Sequence, residues 1–197
     1  MLAQAQNPTV LVIDPDTHAS NQLAELLLDR RERPEVMTAT SVGVAEHALQ
    51  TEYIAWLFIR IGVWDDYQRL AATLPQPPGR VVFLSPAHEN YTGDLPELLD
   101  AHLKPPYSAA KIARIWDRLT HPAFRPRPLD FFFLKTDGHY HIIRYPDLRQ
   151  VRRRRGKIQI FTRVGDFEVI GSLVEFQARL PVPLTRVGRN LLVNEGY

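Results

Sequence analysis

Thr9-Val10-Leu11-Val12-Ile13-Asp14-Pro15-Asp16 sets an unbroken apolar run directly against two carboxylates. A run without polar alternation is what a parallel strand buried on both faces requires. Acidic residues just past such a strand stand where a doubly wound sheet opens its ligand crevice, beyond the carboxyl ends of the strands. Residues 17–31 follow with Leu23, Leu26 and Leu27 at helical spacing, and Thr17 as a candidate cap. Further strands are expected at 36–39, 54–59, 81–84 and 101–103, with helices at 42–49, 65–74, 95–99 and 108–119. Alternation of this kind predicts an α/β fold with a five-stranded doubly wound, flavodoxin-like sheet over residues 1–119.

The pattern changes at residues 120–129 (THPAFRPRPL), where three prolines remove backbone donors and predict a stiff linker. Beyond it, residues 131–135, 139–144, 158–164 and 167–170 read as strands, and Asp137-Gly138 and Gly165-Asp166 fall where hairpin turns are needed. One helix is expected at 172–180, then an extended stretch over 184–193. Residues 130–197 thus predict a second, mostly antiparallel β domain.

Charge divides the chain at the same place. Residues 1–119 hold ten Lys/Arg against fifteen Asp/Glu, whereas residues 120–197 hold fourteen against seven, so a net charge of +2 conceals an acidic half and a basic one. The basic half is the candidate for a polyanionic partner. There is no cysteine, which excludes disulfides and thiolate metal sites. No apolar run approaches the length of a membrane span, and the first ten residues lack the features of a signal peptide, so a cytoplasmic location without membrane contact is expected.

Residues 8–119 resemble the receiver domain of bacterial response regulators. Asp14 and Asp16 stand where receivers carry a magnesium-binding acidic pair. Ser85, in Val81-Val82-Phe83-Leu84-Ser85-Pro86, stands at the switch hydroxyl, and Lys104-Pro105 at the lysine–proline signature. The resemblance places the phospho-acceptor aspartate at the end of the third strand, Ile54-Ala55-Trp56-Leu57-Phe58-Ile59-Arg60-Ile61, on Ile59 or, one residue on, Arg60. Neither forms an acyl phosphate, which needs a carboxylate. The implied domain is a pseudo-receiver with weak magnesium binding and no cofactor. Two readings of the remnant carboxylates stay open. Asp16 caps the first helix, or Arg60 fills the pocket and pairs with Asp14 or Asp16 in place of a cation. Lys104 would then have no ionic partner except those same carboxylates.

Residues 130–197 resemble the LytTR-type DNA-binding domain. The landmarks are Asp147-Leu148, Gly171-Ser172-Leu173, Leu180-Pro181 and Arg186-Val187-Gly188-Arg189-Asn190-Leu191-Leu192-Val193-Asn194. Such domains place inter-strand loops in successive major grooves. The resemblance assigns DNA contact to Arg152, Arg153, Arg154, Arg155 and Lys157 on one loop, and to Arg186, Arg189 and Asn190 on another. Arginine suits phosphate contact and bidentate reading of guanine. The four-arginine run reads as phosphate-directed, with a merely solvated hairpin as the alternative. Gly188 and Arg189 replace the histidine and small polar residue usual in the family, so base preference does not carry over. The resemblance places the family's closing strands beyond Tyr197, so a C-terminally short domain is expected.

His139 and His141 alternate on one strand, but no third ligand is evident, and surface histidines are expected rather than a metal pair. Phe131–Phe133 and Trp116 are expected in a core or interface rather than as base-stacking platforms. The function implied is a transcription regulator that binds double-stranded DNA, as a constitutive homodimer through residues 95–119, with another regulator or a kinase as a further partner. The alternative is an interaction or dimerisation module whose shortened second domain no longer binds DNA. No nucleophile–base constellation, P-loop or metal signature suggests an enzyme.

Overall fold

The computed structural model describes residues 7–86, 90–91, 101–125, 129–180 and 184–195, without the side chains of Asn90, Tyr91 and Arg179. These residues form two compact units. The first takes the described residues up to Val63, from Thr73 to Pro86 and from Ala101 to Arg125. The second takes Trp64–Ala72, Asn90–Tyr91 and the residues from Leu129 onward. A helix from the acidic half therefore belongs with the basic one, an exchange that boundaries at 119 and 130 do not capture.

In the first unit, β1 (Thr9–Ile13), β2 (Glu35–Ala39), β3 (Trp56–Arg60), β4 (Arg80–Leu84) and β6 (His102–Leu103) form a parallel sheet in the order β2-β1-β3-β4-β6. Helices α1 (Thr17–Leu28) and α4 (Ala109–Thr120) cover one face, packing Leu23, Leu27, Ile112 and Trp116 onto Val10, Val12, Trp56, Phe58 and Val82. The intervening Leu11, Ile13, Leu57, Ile59 and Phe83 point to the other face and are buried too, which is why the strands carry no polar alternation. Ser41 caps α2 (Val42–Thr51), and Ser108 caps α4, each accepting from a backbone N–H of the first turn. Trp116 stacks on Trp56 with ring centroids 4.0 Å apart, a core role as expected.

Several bounds shift. Helix α1 stops at Leu28 rather than 31, because the chain turns through Arg33 at φ +48 ahead of Pro34. β3 begins two residues later than expected and ends on Arg60. The helix expected at 95–99 lies outside the described residues. The start of the expected linker is a turn, with Phe124 N–H donating to His121 O at 2.8 Å and the Phe124 ring packed on the first unit's core.

The second unit begins with α3 (Trp64–Ala71). In a three-stranded sheet, β5 (Asn90–Tyr91) runs parallel to β8 (His139–Arg144), which pairs antiparallel with β7 (Phe131–Thr136). One face of β7 meets α3. Trp64 Nε1 donates to Phe131 O at 3.3 Å, and the two rings stack 5.8 Å apart. Gln68 donates to Phe131 O at 2.9 Å and accepts from the Tyr145 hydroxyl at 2.6 Å.

A five-stranded sheet completes this unit from β9 (Leu148–Arg154), β10 (Lys157–Thr162), β11 (Asp166–Ile170), β12 (Thr185–Arg186) and β13 (Leu191–Val193), in the order β11-β10-β9-β13-β12. Phe132, Leu134 and Ile143 share a core with Val151, Ile158, Ile160 and Leu192, closed by Leu173 and Phe176 of α5 (Leu173–Arg179). That helix opens on a capping box: Ser172 Oγ accepts from Glu175 N–H, and the Glu175 carboxylate accepts from Ser172 N–H. The extended stretch over 184–193 is a hairpin of β12 and β13, turning through Gly188 at φ +79.

Candidate functional site

The crevice of the first unit is closed by an ion pair. Ile13 and Ile59 are register partners, so Asp14 and Arg60, one residue on, stand side by side at the carboxyl ends of β1 and β3. Arg60 donates from Nε to Asp14 Oδ1 at 2.9 Å and from Nη2 to Oδ2 at 2.6 Å. Asp14 is fully buried, and the Arg60 side chain is 9 % exposed. Burial alone would pull the guanidinium down, but hydrogen bonding and charge from Asp14 outweigh it and hold it above its ordinary value. Asp16 is the N-cap of α1, accepting from Ala19 N–H at 3.1 Å. Both open readings are thus realised, on different residues: Asp16 caps and Asp14 pairs. Ile59 faces the core.

Ser85 is buried and hydrogen-bonded to His102 Nε2 at 2.8 Å rather than directed at an acidic pair. Burial, and then the charge of Lys104, push His102 below its ordinary value. Lys104 is exposed and has no ion pair among the described residues. The Tyr107 hydroxyl is buried without a hydrogen-bond partner among the described residues and is pushed up to about 12, chiefly by burial. A shallow cleft of about 450 Å³ lies over Asp14, Asp16, His18, Arg60, Pro86 and Pro105. Arg60 thus engages both oxygens of Asp14, and the helix cap engages Oδ1 of Asp16.

The basic residues of the second unit gather at one end of its sheet. Arg152, Arg153 and Arg154 lie on β9, not in a loop, which corrects the expected placement. The turn needs only Arg155 and Gly156, at φ +52 and +79, values that suit a two-residue hairpin and leave the preceding arginines paired in the ladder. Alternation puts Arg152 and Arg154 on the outer face with Gln159 and Lys157, whereas Arg153 stands on the Val151 side beyond the edge of the core. The hairpin carrying Arg186, Arg189 and Asn190 reaches the same end, because β13 pairs with β9 and Arg153 N–H donates to Asn190 O at 2.9 Å.

The basic residues are not equivalent. Arg152, Arg153, Arg154, Arg155 and Arg189 make no ion pair among the described residues. Lys157 is matched by Glu168 at 2.5 Å, a hydrogen bond that raises the lysine and lowers the carboxylate. Arg186 turns back on its own loop, donating from Nε to Gly188 O at 3.3 Å and from Nη2 to Arg189 O at 3.2 Å.

His141 is occupied by Thr136 Oγ1 at 2.9 Å and by the Phe167 ring, and no group of three metal-ligating side chains occurs among the described residues. Phe131, Phe132 and Phe133 are buried. His102, Tyr107 and Gln68 carried no spacing signal, since each acquires its environment from elements distant in sequence. No helix among the described residues is long and apolar enough to cross a membrane.

No protein-family model and no curated protein matches the chain. Among solved structures it is similar to a CheY-like response regulator receiver domain from Methylobacillus flagellatus, at 22% identity over 56% of this chain and 96% of that one, with a TM-score of 0.46. A response regulator from Thermotoga maritima is 18% identical over 55% of this chain and 97% of that one, with a TM-score of 0.42. A LytTr DNA-binding domain from Bacillus cereus is 20% identical over 34% of this chain, which spans 62% of that domain's length, with a TM-score of 0.30.

Proposed function

We propose that this chain is a DNA-binding transcription regulator of the response-regulator type that works without phosphorylation. The observation that carries DNA binding is the meeting, at one sheet end, of the Arg152–Arg155 ladder and the hairpin of Arg186–Asn190. Five guanidinium groups there, without ion pairs among the described residues, supply the positive potential that phosphate binding requires. Phosphorylation independence is supported by the end of β3, where the resemblance puts the phospho-acceptor on Ile59 or Arg60: neither is a carboxylate, and Arg60 engages the fully buried Asp14. In this reading residues 1–119 and 130–197 remain the input and output segments, with α3 lent by the first to the second, and the regulator acts in the cytoplasm as a homodimer. The test is equilibrium binding to random-sequence duplex at two salt concentrations, with intact mass after acetyl phosphate and magnesium. Salt-sensitive binding and an unchanged mass are expected. Salt-insensitive or absent binding overturns the first claim, and a phosphoryl adduct overturns the second.

An interaction module is favoured by a separate observation. Strand β11 is a sheet edge, and Ile170 at its end is 89 % exposed, close in sequence to Val174 at 62 %. Apolar residues on an open edge suit a protein partner. That reading leads if duplex binding is absent.

A further inference from the structure

The hairpin of Val187–Leu191 is held by an unusual arrangement of carbonyls. Val187 N–H donates to Leu191 O at 2.8 Å and closes the turn. The carbonyls of the three residues between are all engaged from within the protein. Gly188 O and Arg189 O accept from the Arg186 guanidinium, and Asn190 O accepts from Arg153 N–H on β9. Gly188 at φ +79 permits the turn that brings the first two carbonyls round to one guanidinium. These carbonyl oxygens are thus taken up by donors of the protein itself, although the loop lies at the surface. The side chains of Arg189 and Asn190, both exposed, remain on the outside. The planar guanidinium holds its donors in a fixed fork, so it sets two successive carbonyls in one geometry more firmly than a flexible ammonium group does.

We infer that Arg186 is a positioning residue that clamps the 187–190 hairpin, and that sequence reading is left to Arg189 and Asn190. The inference rests on the DNA-binding reading for its consequence but not for the clamp itself. Arginine and asparagine side by side match bidentate pairing with guanine and adenine respectively, so the loop suits a purine-containing major-groove step. Arg186, by contrast, has its Nε and one Nη committed before any ligand arrives.

The experiment uses the full chain as wild type, Arg186→Ala, Arg186→Lys and Arg189→Ala. Amide hydrogen exchange at Val187, without DNA, reads the clamp. Arg186→Ala and Arg186→Lys should both exchange about ten- to a hundredfold faster there, the loss expected for hydrogen bonds from a charged donor, while Arg189→Ala should not. Unchanged exchange in both Arg186 variants overturns the clamp, whatever DNA does. Binding is then measured on a duplex selected from a random pool by the wild type, against unselected duplex. Both Arg186 variants should lose affinity for the selected duplex while keeping the wild-type salt slope, since neither substitution removes a phosphate contact. Full rescue by Arg186→Lys, or a salt slope smaller by about 0.9 in Arg186→Ala alone, marks a phosphate contact and overturns the assignment. If no duplex is selected, the DNA reading fails and the exchange data still decide the clamp.

Discussion

Arg60 and Asp14 meet through two parallel hydrogen bonds, 2.9 and 2.6 Å long, at the mouth of a parallel sheet where Asp14 is fully buried and Arg60 nearly so. Two ions removed from solvent hold each other only while both are present, because either one alone would be an uncompensated buried charge. Arg60→Ala is therefore expected to cost about 3–5 kcal/mol of unfolding free energy. Arg60→Met combined with Asp14→Leu should recover most of that loss, since an apolar pair of similar volume carries no desolvation cost. Urea unfolding of the two variants measures this. A loss below about 1 kcal/mol for Arg60→Ala would mean the pair behaves as an exposed one.

Ser85 and His102 give the first unit a pH dependence of definite sign. Burial, helped by Lys104, lowers His102 in the folded state, so the unfolded chain takes up the proton first as pH falls. Stability is then level above the ordinary histidine value of 6.5 and falls as pH drops from there toward the lowered folded value. His141 is also lowered, by burial and then His139, and adds a loss in the same direction. Denaturation midpoints between pH 7 and pH 5 should fall, and His102→Gln should flatten the slope without abolishing it. A midpoint that rises on acidification contradicts the assignment.

How far these features are legible before folding differs by kind. The run Thr9–Ile13 announces a strand buried on both faces, and Ser172 with Glu175 announces a helix start, because both signals are local. The partner of Arg60 was narrowed to Asp14 or Asp16 but not resolved, since cap and counter-ion use the same chemistry. Strand β9 was hidden because Arg149 and Arg152–Arg154 swamp an apolar signal reduced to Leu148 and Val151. The hairpin inside 184–193 hung on one glycine, Gly188. Helix α3 was recognisable as amphipathic, but an apolar stripe of Trp64, Tyr67 and a buried Gln68 does not say which sheet it will cover.

That exchange of α3 has its own consequence. Gln68 is satisfied at both ends of its amide, by Phe131 O and Leu129 O on one side and the Tyr145 hydroxyl on the other. Gln68→Ala leaves Phe131 O with Trp64 Nε1 but removes the partner of the Tyr145 hydroxyl, at about 1–3 kcal/mol for that buried group. A fragment of residues 130–197 lacks the helix altogether and uncovers Phe131 beside Phe133. It is expected to bind a hydrophobic dye and to unfold without a cooperative transition. Adding residues 64–72 back in the full chain should restore a single transition. A fragment as stable as the full chain would show that α3 is dispensable.

The arginines of β9 supply the last test, and the strand makes it more specific than a count of charges. Alternation separates Arg152 and Arg154 on the outer face from Arg153 on the opposite one, so the residues cannot all address one line of phosphates. Removing one arginine–phosphate pairing should reduce the slope of log K against log salt by about 0.9. Arg152→Gln with Arg154→Gln should therefore flatten the slope by up to about 1.8 if the outer face is the one that meets DNA. Arg153→Gln should then change it little. Lys157→Gln should also have a small effect, because Glu168 already compensates that charge. Affinity should fall uniformly across duplex sequences, as befits phosphate pairing that carries no base information. The reverse ranking, with Arg153 dominating, would move the interface to the other side of the sheet end. An unchanged slope in the variant lacking all of Arg152–Arg155 would remove this end of the sheet from DNA binding.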